Sequence, residues 1–277
     1  RALAMRLAPV ARILILLDIN TEGLKATEKI LRDTAEKSNP GLSLRCNTLD
    51  VRSLEALHSE AKALSLNDWP DIVIANAGLG GINPAHAWSA EIDRRLMEVN
   101  YFGTSNLVAI FAPAMATRRS GHLVGICSLA AMRGLPMAAS YSASKAAQMT
   151  LLESIRNDLR PYGVFVSTFL PSFIRTPMAD HDEFARPFMM TAETCADQIL
   201  EGTARKVRQL MFPWPMRILS LINRFLPVTV FDFLVPRLSG AHYSAPKTPK
   251  IFGHSSNLSM GLGSTAKPPD KGFQRPP

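Results

Sequence analysis

Short apolar runs alternate along the chain with longer stretches in which apolar residues return at helical spacing. The run Arg12-Ile-Leu-Ile-Leu-Leu-Asp18 is too short for a helix and has no polar face, so it predicts a strand buried on both sides. Residues 1–9 before it predict the end of a helix closed by Pro9. Residues 21–37 after it predict another helix, with a stop in Ser38-Asn39-Pro40-Gly41. The alternation continues with strands over 42–46, 72–75, 122–127 and 164–169 and helices over 53–66, 91–118 and 140–160. Such an order predicts the α/β class, a doubly wound parallel sheet with helices on both faces. Ligands of these sheets bind beyond the carboxyl ends of the strands. Four predicted strand ends carry polar or glycine residues: Asp18, Asn76-Ala77-Gly78, Ser128 and the segment from Pro171 to Thr176. They predict the rim of one site.

Composition divides the chain into unequal parts. Its 277 residues, 47% hydrophobic, suffice for one large domain, expected over 1–204. The formal net charge is +8, yet residues 205–277 hold 11 Lys and Arg against 2 Asp and Glu, while the first 204 residues hold 20 against 21. A nearly neutral body argues against a nucleic-acid partner, which would require a basic groove. Within 205–240, Arg217, Ser220 and Arg224 recur at helical spacing opposite Ile218, Leu219, Leu221, Ile222, Phe225 and Leu226. Charges and prolines interrupt this stretch too often for a membrane span. It predicts a lid, a subunit contact or, over 205–238, contact with a membrane surface. Residues 241–277, rich in Gly, Ser, Pro and Lys, have no apolar period and predict a disordered tail. Cys46, Cys127 and Cys195 are widely spaced and odd in number, which predicts neither disulfides nor a metal site and fits a reducing, cytoplasmic setting, with or without contact to a membrane surface.

The stretch SYSASKAA, residues 140–147, places Tyr141 and Lys145 four apart on a predicted helix, so both emerge on one face. A phenol titrates near ~10 in isolation, and a nearby ammonium favours its ionised form. The pair therefore reads as a tuned acid/base. Tyr243 and Lys247 repeat the spacing, but Pro246 between them would break a helix, and position 230, thirteen before Tyr243, is Val where Ser128 precedes Tyr141. Asp18 closes a predicted strand where a carboxylate can accept both ribose hydroxyls of a dinucleotide and repel a 2′-phosphate. Ile19 and Asn20 offer no positive charge, so NAD is expected in preference to NADP.

In that order the motifs LLDIN (16–20), LDV (49–51), NAG (76–78), VN (99–100), CS (127–128), YSASK (141–145) and PSFIRT (171–176) resemble the classical short-chain dehydrogenases/reductases over residues 1 to about 200. The resemblance implies a Rossmann-like fold and an alcohol/carbonyl oxidoreductase using NAD(P). Tyr141 would transfer the proton, Lys145 would lower its pKa and hold the nicotinamide ribose, Ser128 would orient the substrate oxygen, and Asn100 would bend its helix and hold a water in the proton path. It also implies that Asp50 and Val51 contact the adenine, that Asn76, Ala77 and Gly78 support the sheet centre beside the cofactor, and that Pro171, Ile174 and Thr176 hold the nicotinamide end. Ser172 departs from the pattern, since the family usually has glycine after Pro171.

The family's glycine-rich phosphate loop, T-G-x-x-x-G-x-G, is expected between a first strand and a first helix, and RALAMRLAP resembles the helix that follows it. The expectation is therefore a fold truncated at its N-terminus, lacking its first strand and binding dinucleotide poorly. Met189, Met190, Phe212 and Trp214 suggest a lid over a small hydrophobic alcohol or ketone substrate, and the family often pairs subunits as homodimers or homotetramers. Two other readings stay open: a catalytically impaired binding or regulatory protein of this fold, and a sugar-nucleotide epimerase or dehydratase of related fold.

Overall fold

A computed structural model of the chain describes residues 1–175, 188–238 and 248–252. Helix α1 (Ala2–Leu7) leads into strand β1 (Ile13–Asp18), helix α2 (Thr21–Ser38), strand β2 (Ser43–Thr48) and helix α3 (Leu54–Lys62). β1 and β2 pair in parallel from Ile13 opposite Ser43 to Asp18 opposite Thr48. Asn20 starts α2 by accepting the N–H of Gly23, and Ser53 starts α3 by accepting that of Ala56. β3 (Ile72–Ala75), β5 (Gly121–Ile126), β6 (Val164–Pro171) and β7 (Gln209–Phe212) form a second parallel sheet in that order. Between them run the short strand β4 (Gly80–Ile82) and the helices α4 (Ala90–Met97), α5 (Gly103–Arg118), α6 (Ala139–Leu159) and α7 (Ala192–Ala204). Helices α8 (Trp214–Phe225) and α9 (Val228–Leu238) follow β7.

The expected two-faced burial is realised by the alternation of side chains along each strand. Leu123, Val164, Val166 and Leu170 face Leu107, Phe111, Met115 and Leu152 of α5 and α6. Val124 and Phe169 face the other way, against Cys195 and Ile199 of α7. Gly125 brings α6 onto β5, because a Cβ there would stand 2.1 Å from a methyl of Leu152. That close approach seats the amino end of α6 over the carboxyl end of the sheet.

The expectation of a fold lacking its first strand is corrected. Residues 1–18 supply a helix and a strand. Leu14 of β1 is buried with Ala4 and Ala8 and with Leu31 of α2, and Arg6 of α1 pairs with Asp197 of α7 at 2.6 Å. The expectation of a tail without structure is also corrected where the structure describes it. Lys250–Phe252 form β8, antiparallel to β4, because Phe252 is buried and Ile251 packs on Leu79, Ile92 and Leu96. The repeated Tyr243–Lys247 pattern lies outside the described residues. Among those residues no helix is long and apolar enough to cross a membrane.

One buried histidine lies at the opposite end of β5 from Ser128. Ser167 donates its hydroxyl proton to the carbonyl of Val207, so the 2.8 Å contact from His122 Nε2 must be a donation, which sets the neutral Nε2–H tautomer. Burial and the charge of Lys206 lower the His122 pKa to about 4. The depressed value means that His122 contributes stability above pH ~6.5 and that this contribution is lost as the pH falls through about 4. We expect the thermal midpoint to drop between these values, with a loss on the order of 2–3 kcal/mol. His122→Gln, which keeps a donor for Ser167, should flatten that part of a melting-temperature profile.

Candidate active site

A cleft of ≈ 2340 Å³ extends from the carboxyl ends of the strands along the whole length of β1 and past Asp71 to Ile74 at the start of β3. Asp18, Asp50, Val51, Asn76, Ala77, Gly78, Ser128, Tyr141, Lys145, Pro171 and Ile174 all line it. Thr176 lies outside the described residues. Asn100 stands behind the cleft wall, fully buried.

Helix α6 delivers Tyr141 and Lys145 from one face. Ser128 follows the end of β5 and opens a tight turn, its Oγ accepting the N–H of Ala130 at 3.1 Å. Burial raises the Tyr141 pKa, and its hydrogen bond with Ser128 opposes that rise. Burial also lowers the Lys145 pKa. The phenol is therefore not shifted down by the neighbouring ammonium, as the spacing alone suggested. Lys145 Nζ is turned instead to the carbonyl of Ile126 at 3.1 Å and to Gln148 Oε1 at 2.9 Å. Two of its three protons are thus used, which leaves one for a ligand. Beneath them, a Cβ on Gly78 would meet Asn100 Oδ1 at 3.2 Å and Lys145 Nζ at 3.3 Å, so the glycine keeps the floor of the cleft open.

Asn100 occurs in a π-helical segment, Glu98–Phe102, between α4 and α5, the kind of local widening that turns a side chain out of the ladder. Its Oδ1 accepts the N–H of Leu79 at 2.8 Å, while its Nδ2 donates to the Leu79 carbonyl and to Ser144 Oγ, both at 2.9 Å. Asn100 is linked to Lys145 through Thr104 and Gln148. Sequence reasoning missed Ser144 and Gln148, although positions 141, 144, 145 and 148 share one helical stripe and a polar stripe on a buried helix is a readable signal.

At the far end of the cleft, Asp18 Oδ1 accepts the N–H of Asn20 at 2.9 Å. Asp50 is gripped by Arg52, with contacts of 2.6 to 3.1 Å. Burial works against the Asp50 carboxylate, but the hydrogen bonds and charge of Arg52 outweigh it and hold its pKa below the ordinary value. Ser172, the departure from the family pattern, donates its N–H to Phe212 at 2.9 Å, and Ile174 bridges Met190, so the loop stays pinned beside β7. The proposed lid residues are corrected. Met190 and Phe212 are core residues, Trp214 is 71% exposed, and neither they nor Met189 line the cleft. Its apolar wall comes from Met132, Leu135, Leu219, Leu226 and Leu234. Arg133 clamps that wall by donating to the carbonyls of Asn223 and Leu226 and stacking on Phe231 at 3.8 Å.

Ser128, Tyr141 and Lys145 thus stand at the carboxyl rim of a parallel sheet, with Asp18 and Asp50 lining the same cleft. The chain belongs to the short-chain dehydrogenase family, whose model matches residues 1–185. The match takes in residues 1–18, which supply α1 and β1. The chain is 34% identical over 209 residues to an uncharacterized oxidoreductase of Myxococcus xanthus, covering 75% of this chain and 82% of that protein. It is 34% identical over 174 residues to the dehydrogenase/reductase SDR family member 7C of Mus musculus, covering 61% of this chain and 55% of that protein, so it spans about half that relative's length. Among solved structures, an alcohol dehydrogenase from the archaeon Thermococcus sibiricus complexed with 5-hydroxy-NADP shares the fold. Its TM-score is 0.65 and its identity 22%, over 76% of this chain and 89% of that one. Three further structures of this fold, at 20%, 24% and 24% identity, are complexed with NADP. The preference for NAD over NADP is therefore corrected. Its physical basis was incomplete, since the Asp18 carboxylate is engaged by backbone and Arg1, Arg12 and Arg52 line the same cleft.

The Asn100 contacts make a prediction for stability. Asn100→Ala leaves the N–H and carbonyl of Leu79 without their partners in the interior, and should cost ~2–4 kcal/mol. The chemical-denaturation midpoint would move accordingly, and an unchanged midpoint would rule out this bracket.

Proposed function

We propose that this short-chain dehydrogenase interconverts an alcohol and a carbonyl on a small hydrophobic substrate, with Tyr141 as acid/base. The observation that carries the reading is the convergence of Ser128, Tyr141 and Lys145 on one cleft that also has an extensive apolar lining. The residues fit a nicotinamide dinucleotide. The acids Asp18 and Asp50 stand at the strand ends for the adenosine half, the open floor at Gly78 accepts the nicotinamide half, and the free Lys145 proton suits a ribose hydroxyl. NADP fits as well as NAD. The bound nicotinamide supplies or accepts the hydride. Ser128 orients the substrate oxygen by hydrogen bonding, and Tyr141 gives its proton to that oxygen during reduction or takes it during oxidation. Burial keeps the phenol protonated at neutral pH, so the resting site is set to donate. Tyr141→Phe removes that proton, and turnover followed by NAD(P)H absorbance on a panel of hydrophobic ketones should fall by about 10²-fold or more. Retained turnover would refute the assignment. Absence of turnover in the unmodified protein, with intact dinucleotide binding, would instead favour a binding or regulatory role.

Helices α8 and α9 support a second reading for the surface. The inner face of α8 lines the cleft through Met216, Leu219, Ser220 and Asn223. Its outer face presents Trp214, Ile218 and Phe225, which are 71%, 50% and 81% exposed, with exposed Arg217 alongside. An outward apolar stripe flanked by cations suits the interface of an anionic membrane, from which an apolar substrate would reach the cleft. The protein should float with phosphatidylserine vesicles at low salt, and Ile218→Ser with Phe225→Ser should abolish flotation. No flotation of the unmodified protein removes this reading, and a concentration-dependent dimer lost in the same variant would assign the stripe to a second copy.

A further inference from the structure

Behind the cleft, a string of buried side chains connects the lysine to the π-helical turn. Lys145 Nζ donates to Gln148 Oε1 at 2.9 Å, Gln148 Nε2 donates to Thr104 Oγ1 at 2.8 Å, and Thr104 Oγ1 donates to the Asn100 carbonyl at 3.1 Å. Gln148 and Asn100 have no exposed surface, and Thr104 and Lys145 are 3% and 4% exposed. Every donor in this string points away from the cleft, and the order cannot reverse while the lysine is an ammonium, because that group only donates. A primary amide in this place has two acts to perform. Its oxygen accepts the charge, and its nitrogen anchors that oxygen to Thr104.

We infer that Gln148 is a positioning residue for Lys145, holding the ammonium against the Asn100 turn and presenting its remaining N–H to the cleft. The role rests on the reading of Lys145 as the partner of Tyr141, but its geometry does not. A leucine of similar volume would fill the same space and leave Lys145 with Ile126 as its single anchor. The lysine would then be free to swing within the cleft, and the relation between its charge and the phenol would be lost. Gln148 does not itself pass a proton, since its amide carbonyl has none to give. It orders the donor that does face the ligand.

The test measures the lysine directly and needs neither substrate nor dinucleotide. In protein labelled with ¹³C,¹⁵N-lysine, the Lys145 signal is assigned by its absence in Lys145→Arg and titrated with pH. The titratable group whose charge bears on it is Cys127, and Tyr141 lines the same cleft. Gln148→Leu should lower the Lys145 midpoint by about one unit or more, the scale of a lost hydrogen bond to a charge. Gln148→Glu should raise it above the unmodified protein. A midpoint unmoved by Gln148→Leu, or moved upward, overturns the inference. If Gln148→Leu does not fold, Gln148→Glu decides alone, with an unmoved or lowered midpoint overturning it. Failure of the Tyr141 reading would appear only in turnover, so the two results are separable.

Discussion

The site depends on one side chain meeting one stretch of backbone. Asn100 satisfies both the N–H and the carbonyl of Leu79 and still reaches Ser144. Three elements with no sequence proximity are joined there: the loop leaving β3, the π-helical turn between α4 and α5, and the first turns of α6. An unpaired backbone group in this interior would cost more than a typical hydrogen bond contributes, so the geometry is enforced by the penalty of breaking it. Gly78 and the Lys145 ammonium are positioned against this bracket, as is the backbone of Tyr141, whose carbonyl accepts the Ser144 hydroxyl.

Burial acts on both Tyr141 and Lys145. Removal from water disfavours the phenolate and the ammonium alike, which pushes Tyr141 up and Lys145 down. What keeps the lysine useful is not proximity to the phenol alone but the supply of acceptors, Ile126 and Gln148, that stabilise its charge. Ser128 does the corresponding work for the phenol. The polar string behind the cleft therefore belongs to the electrostatics of the site as much as to the packing of the core.

The lining of the cleft is uneven, with polar residues at the strand ends and apolar residues on α8 and α9. Helices α8 and α9 and the loop at Met132 to Leu135 contribute part of the apolar lining and are locked together by Arg133 and by Arg224, which donates to the Met132 carbonyl. The same helices carry exposed apolar side chains, Ile218 and Phe225 on α8 and Phe233 on α9, so a helix that lines the cleft also leaves apolar surface uncovered.

Much of this was legible along the chain. Strands buried on both faces announce themselves as unbroken apolar runs, and a helix of 18 residues such as α2 carries a period long enough to read. Tyr141, Lys145 and Ser128 were legible because spacing along a helix and position at a strand end are local properties. The short strands β4, β7 and β8 were not, since three or four residues hold no period and their pairing is decided by distant partners. Nor could sequence tell that Met190 and Phe212 turn into the core while Leu219 and Leu226 line the cleft, because that depends on which face of α8 meets the sheet. The NAD preference drawn from Asp18 failed for the same reason: its neighbours in sequence are uncharged, and the arginines that share its cleft arrive from other elements. By itself the sequence determined the class of sheet and the placement of Tyr141 and Lys145 on one face of a helix, both encoded within a few residues. Only the tertiary structure decided how that pair is held, because its partners Gln148, Thr104 and Asn100 act through distances that no local pattern records.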